Sequence, residues 1–363
     1  MSIKPSAGSE VRALIDSLGA SDEIARETAI ARLAIIGPRA VDRLIAEYTA
    51  DTTDRRKRTA ILRVLEATAD ARALGVARRA LTDNGDLAVA AAGVLQSLLD
   101  SVVDGTAAEA LDGLVTAALD PQVERRIRIA ALDALQGMPE QVRSRVAAAV
   151  AEDPDPAFQS RTATGHGAVS EAIWQDALEG RLPDGAAMLR DAMQTRTAAV
   201  PLGELQKLVD AIRERESNVD APQRSEWLAV RGGFHQALAL RGSTVAVYDL
   251  RETITESTGA LPTTFLTALH VVGDQSCLDA IATAYSRVAG FHDVAGTAGP
   301  LLSEEQRRWL QQLADAFHAI AKREKVAGTG ATMKRLTKKW PGAVRALSKT
   351  SRTTPRPRNP DRT

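Results

Sequence analysis

Apolar residues recur along this chain at spacings of three and four, broken at short intervals by Gly, Pro and Asp. In "ETAIARLAIIGPRAVDRLIAEY" (27–48), Ile30, Leu33 and Ile36 share one face of a helix, and Val41, Leu44, Ile45 and Tyr48 share one face of a second. Gly37 suits the left-handed residue that ends the first helix. Pro38 suits the first turn of the next, where its missing N–H is not needed. The pattern predicts an antiparallel helical hairpin, which cannot bury its apolar face alone.

Copies of the hairpin follow. Aligning "TAIARLAIIG", "TAILRVLEAT", "AAAGVLQSLL" and "IAALDALQGM" places Ala29, Ala60, Ala91 and Ala130 at one position, with separations of 31, 31 and 39 residues. The longer step contains "SVVDGTAA" (101–108), which reads as a loop insertion. A fifth start, "DPDPAFQSRTA", mirrors "DPQVERRIRIA" and then decays into "TGHGA". Farther on, "ALALRGSTVAVYDL" and "ALHVVGDQSCLDAI" place Ala237 and Ala268 again 31 apart, with Gly242 and Gly273 sharing one turn position. A period of this length predicts an all-α fold, an α-α superhelix of stacked hairpins.

These alanine-anchored units, each with a Gly/Asp/Pro turn and a second helix, resemble the short bacterial HEAT-like repeats that also occur in phycobilin lyases. The resemblance covers most of residues 10–165 and 226–288. It implies a curved solenoid that binds other macromolecules and only occasionally acts as an enzyme. The expected organisation is an N-terminal repeat array (10–165), a divergent helical segment (166–225), C-terminal repeats with a capping helix (226–321) and a basic, partly disordered tail (322–363). The stretch "TATGHG" is the expected hinge between the first two. The capping helix starts at "SEEQ", where Ser303 and Gln306 spell a capping box and Trp309, Leu313, Phe317 and Ile320 form a stripe.

Composition agrees with helices. Aromatic residues are only 3% of the 363, and small apolar residues favour close helix packing over strand pairing. No run approaches the ~18 apolar residues of a membrane helix, and the start "MSIKPSAGSE" has no apolar stretch, so the expectation is a cytoplasmic protein without a membrane partner. A single cysteine, Cys277, lies in an apolar run and reads as a small packed hydrophobe.

Net charge is zero, with 46 basic and 46 acidic residues, but its distribution is lopsided. Residues 322–363 carry 13 Lys and Arg against 2 acids, a charge of +11 that faces −11 on the rest of the chain. Six of the nine lysines fall there. Within it, "MKRLTKKWPGAVRALSKT" forms an amphipathic element with Met333, Leu336, Trp340, Val344 and Leu347 on one side. Lys334, Arg335, Lys338, Lys339 and Arg345 are its basic candidates. The tail has two readings, a clamp on the acidic body or an arm for nucleic acid or an acidic protein. From Thr350 onward, "TSRTTPRPRNPDRT" has no apolar face to bury and is expected to be disordered.

Chemistry is sparse. The five histidines show no pair at metal-ligand spacing, and "GTGATMKR" (328–335) lacks the order of a phosphate loop, reading instead as a joint. His270 and Cys277, seven apart, are the one Cys/His pairing to check. No catalytic residue, cofactor or metal site is assigned. More informative are "RRKR" (55–58) and "ERRIR" (124–128), in which Arg55 and Arg125, Arg56 and Arg126, and Arg58 and Arg128 occupy matching registers. Positive charge at a helix start opposes the dipole at about 0.3–1 kcal/mol each, so these arginines form either a ridge for acidic partners or a ladder to Asp and Glu of neighbouring repeats, with Asp54, Asp83, Glu124 and Asp155 available.

The functional expectation is a non-enzymatic, monomeric interaction scaffold whose second helices line a concave protein-binding face, with Arg39, Arg43, Arg72, Arg79, Arg143 and Tyr248 as contacts. The alternatives are a nucleic-acid binder using the arginine edge and tail, and a protein like the bilin lyases of the resembling family.

Overall fold

The computed structural model describes residues 7–150, 153, 155, 158, 166–193, 197, 200–290 and 302–350. Among the described residues regular structure is entirely helical, nineteen α-helices and two short 3-10 turns. The chain forms two compact units, Met1–Gly242 and Ser243–Thr363.

The first unit opens with α1 (Ala7–Ser17), α2 (Glu23–Ile36) and α3 (Pro38–Thr49), followed by α4 (Arg55–Thr68) and α5 (Leu74–Leu81). Next come α6 (Asp86–Ser97), α7 (Thr106–Leu119), α8 (Arg125–Ala134) and α9 (Glu140–Val150). The alanine-anchored helices stack in order, α4 on α2, α6 on α4 and α8 on α6. Their partners make a second row, in which α7 packs on both α5 and α9, and α5 and α7 each also touch the first helix that follows them. Ala29, Ala60 and Ala91 are at most 3% exposed, while Ala130 is half-buried against the same core and its neighbour Ala131 is fully enclosed. Leu33, Leu44, Ile61, Leu62, Leu65 and Leu95 fill the space between rows, each contributing about 1.5–3 kcal/mol by leaving water.

The turns show how the hairpins are set. Gly37 ends α2 and caps α3 with no linker between them, which requires φ +65° and ψ −138°, the same pair that Gly85 adopts ahead of α6. That ψ lies outside the left-handed helical well expected for Gly37, because the chain must leave one helix and enter the next at a single residue. The inserted segment is confined to residues 98–105, and Thr106 already begins α7.

The remainder of this unit is α10 (His166–Leu178), α11 (Ala186–Met193), α12 (Leu202–Ser217) and α13 (Ala221–Leu240). Of the expected hinge "TATGHG", residues 162–165 lie outside the described residues and His166 and Gly167 open α10. Trp174 of α10 stacks on Phe234 of α13 at 6.2 Å, and Arg231 of α13 forks onto Glu216 of α12 in two bonds of 2.7 Å, both groups buried. At Gly233 a Cβ would come within 2.9 Å of Met193 Cε, so glycine sets the approach of α11 to α13. Helix α13 also packs against α2.

The second unit comprises α14 (Val247–Glu256), α15 (Thr263–Val272), α16 (Cys277–Val288) and α17 (Glu304–Arg323), then α18 (Ala331–Lys339) and α19 (Pro341–Thr350). The capping box at Ser303 forms as read, with Gln306 N–H donating to Ser303 Oγ at 3.1 Å and the reciprocal bond at 2.9 Å. Trp309, Leu313, Phe317 and Ile320 are buried. Helix α17 does not end the stack, because α19 packs on both α16 and α17. The stretch read as a joint is shorter than expected: Gly330 caps α18, and "ATMKR" is helical because Met333 and Leu336 have a core to enter. Residues 351–363, expected to be disordered, lie outside the described residues.

The two glycines aligned by sequence serve different ends. Gly242 has φ +63°, whereas Gly273 has φ −57° and is required because a Cβ would stand 2.5 Å from the Leu269 carbonyl oxygen.

Two substitutions separate backbone strain from packing. Gly37→Ala, with no atom closer than 3.7 Å to the added Cβ, is expected to lower unfolding free energy by about 1–3 kcal/mol through conformation alone. Gly75→Ala, in helical backbone with nothing within 4 Å, is expected to raise it by about 0.5–1 kcal/mol. Urea titration of both variants reads these changes directly.

Candidate interaction surfaces

The arginines fall into two groups by what their guanidinium groups touch. In α2, α4, α8 and α13 the fourth residue is an arginine: Arg26, Arg58, Arg128 and Arg224. Arg26 donates to Ala20 in the turn after α1 at 2.9 Å, and the other three donate to a carbonyl at the end of the preceding helix, Arg58 to Ala50 at 3.1 Å, Arg128 to Ala118 at 3.1 Å and Arg224 to Glu216 at 3.0 Å. In these three the charge that opposes its own helix dipole therefore rests against the negative end of another helix, where it is favourable. Arg58 also lies 5.7 Å from the centre of the Tyr48 ring. Arg128 is the most enclosed, 8% exposed, with Asp153 at 2.9 Å and the Phe158 ring centre at 4.2 Å.

The neighbouring arginines stitch the same edge. Arg55 donates to the Asn84 carbonyl in the turn before α6. Arg126 pairs with Asp86 at 2.7 Å, Arg125 binds Asp155 through both sides of its fork, one bond measuring 3.0 Å, and the Gly85 N–H donates to Glu124 at 3.0 Å. Arg56 is exposed and makes no hydrogen bond or ion pair among the described residues.

On the second helices Arg43 donates to the Gly8 carbonyl at 3.1 Å. Arg72 meets Asp42 at 2.8 Å, Asp70 at 2.7 Å and the Pro38 carbonyl at 2.8 Å. Arg39 at the start of α3 and Arg79 at the end of α5 are exposed and carry no hydrogen bond or ion pair among the described residues. Arg72, in the 3-10 turn ahead of α5, ties that turn to the start of α3. Arg143 lies half-buried on α9, and Tyr248 lies half-buried on α14, in the other unit.

A charged seam on the first-helix row has no counterpart in the sequence patterns above. Glu27, 8% exposed, receives both arms of Arg63, one at 2.8 Å, and Gln236 of α13 at 3.3 Å. One turn beyond Arg63, the Glu66 carboxylate lies over Gly93, where a Cβ would stand 2.9 Å away. The residue as a whole stays exposed, and packing of its carboxylate against α6 raises its pKa, opposed by the nearby Arg63 charge.

In the second unit, α18 and α19 bury Met333, Leu336, Ala343, Val344 and Leu347. Asp279 of α16 fixes them, accepting from Lys339 at 2.8 Å and from the Trp340 indole at 3.1 Å. Lys334, Arg335, Lys338 and Arg345 remain exposed with no hydrogen bond or ion pair among the described residues.

Cys277 is fully buried, and burial pushes its thiol up to about 11, far from the thiolate a nucleophile needs. Among the described residues no group of three or more His, Cys, Asp or Glu is arranged to hold a metal ion, and no helix is long and apolar enough to cross a membrane.

No family model matches the chain, and no curated protein matches it. Among solved structures, the complex of CpcE and CpcF of phycocyanin lyase from Nostoc sp. PCC7120 is similar at 27% identity, over 43% of this chain and 96% of that one, with a TM-score of 0.38. An engineered protein is similar at 16% identity, over 94% of this chain and 98% of that one, with a TM-score of 0.28.

The edge and the seam each give a measurable consequence. Arg128→Ala, which removes a carbonyl bond, an ion pair and a ring contact together, is expected to cost about 3 kcal/mol or more, while Arg126→Ala on the exposed edge costs under about 1 kcal/mol in the same denaturant series. For Glu66 the folded carboxyl holds its proton more tightly than the unfolded one, so stability is lost as pH rises through the raised folded value and is regained on acidification. Because the residue stays exposed to solvent, the effect is small: Glu66→Gln is expected to lie within about 1 kcal/mol of the parent at neutral pH, in the stabilising direction, when the two melting curves are compared.

Proposed function

We propose that the protein is a non-enzymatic interaction scaffold that docks an acidic protein partner on the face presented by the second helices α3, α5, α7 and α9. The observation that supports it is the division of labour among the arginines. All but one of the arginines singled out on the first-helix edge are engaged within the chain, whereas on the second-helix side Arg43 and Arg72 are engaged and Arg39 and Arg79 are exposed cations without a hydrogen bond or ion pair among the described residues. A charged, exposed surface on a stiff stacked frame favours steering and selectivity over large apolar burial.

The test compares the intact protein with Arg39→Glu/Arg79→Glu as bait in nuclease-treated extract at low and moderate salt. The expected result is a discrete protein partner whose recovery falls about tenfold or more in the double variant, with melting temperature unchanged. Recovery of nucleic acid but no protein partner from untreated extract overturns the reading.

A further inference from the structure

The amphipathic hairpin α18–α19 has two faces with different fates. Its apolar face is used in packing, since Met333, Leu336, Ala343, Val344 and Leu347 are buried and α19 sits on α16 and α17. Among the described side chains of its cations only Lys339 has an internal partner, Asp279, and Lys339 also lies 5.3 Å from the Trp340 ring centre. Lys334, Arg335, Lys338 and Arg345 project from a surface already held in place and have no counter-charge among the described residues. An intramolecular clamp therefore accounts for one of these five charges and leaves four unexplained.

We infer that this face binds the phosphate backbone of nucleic acid, without base selectivity. Three observations narrow the partner to that class. The free charges are all of one sign and lie on consecutive turns, Lys334 and Lys338 about 6 Å apart along α18, a spacing suited to successive phosphates. No large apolar side chain is exposed between residues 331 and 348, so the apolar centre of a protein–protein interface is missing. The apolar face that a membrane-surface helix would insert is buried against α16 and α17. The chain after Thr350 adds four arginines against one acid, Asp361, extending the same sign of charge in sequence. This inference concerns the second unit and stands independently of partner docking on the first.

The experiment uses the full chain, a labelled duplex of about 30 base pairs in two unrelated sequences, and fluorescence anisotropy from about 50 to 300 mM salt. The comparison protein is Lys334→Gln/Arg335→Gln/Lys338→Gln/Arg345→Gln, whose substituted side chains touch no core and whose melting curve checks folding. The parent is expected to bind both sequences equally. Neutralising four phosphate contacts is expected to weaken binding at least about tenfold and to flatten the slope of log K against log salt by about 3–4. A chain ending at Thr350 is expected to keep that dependence on the four residues. The proposal is overturned if the parent fails to bind at the lowest salt, or if the neutralised protein keeps the parental slope. It is equally overturned if vesicles of anionic lipid capture the parent while the duplex does not.

Discussion

A pair of antiparallel helices has more apolar surface than it can hide within the pair, and this excess governs the first unit. In α2, α4, α6 and α8 it is relieved by placing small residues where one first helix meets the next, so that Ala29, Ala60 and Ala91 disappear from solvent and Gly93 lets the Glu66 carboxylate settle against its Cα. Close approach is what makes stacking worthwhile, because dispersion falls steeply with even a small gap. The second row then follows, with α2 folding back into α3 at the single residue Gly37 and α6 reaching α7 through residues 98–105.

The arginines show how a polar solution grows from the same frame. Stacked hairpins bring the end of one helix beside the start of the next, leaving last-turn carbonyls near first-turn side chains. An arginine at the fourth position spans that gap in α4, α8 and α13, and its cost at its own helix start is offset by the carbonyl it closes. The acids at Asp22, Asp54 and Asp220 cap α2, α4 and α13 by accepting first-turn N–H groups, so a carboxylate and a guanidinium four residues apart serve both sides of one junction. Glu124 takes the corresponding position before Arg128 but turns to the Gly85 N–H instead.

Much of the fold was legible because it rests on spacing. The alanine register, the Gly37–Pro38 break, the Ser303 capping box and the stripe from Trp309 to Ile320 are local patterns that tertiary packing uses, with Ala131 taking the enclosed place in α8 where the register pointed to Ala130. The pairing of an acid with an arginine four residues later is equally present in the sequence at 22 and 26, 54 and 58, 124 and 128, and 220 and 224, but only the helix junctions give it meaning. The Glu27, Arg63 and Gln236 contact was not legible, because it joins residues 209 apart and depends on α13 meeting α2. The aligned Gly242 and Gly273 show the opposite limit: one residue type met two demands, positive φ and close approach, that spacing alone does not separate.

Surfaces available for partners are what remains after these internal uses, which is why the free cations at Arg39, Arg79 and the α18–α19 face carry more weight than the denser arginine runs. The seam between first helices is the premise of the whole arrangement, and enlarging it is the most direct test. Ala91→Leu, at a position with no exposure, is predicted to lose about 1–3 kcal/mol of unfolding free energy through overpacking, whereas Ala13→Leu on the exposed side of α1 stays within about 0.5 kcal/mol of the parent. An Ala91→Leu protein as stable as the parent would mean that α4, α6 and α8 do not approach closely, contradicting the stacked architecture.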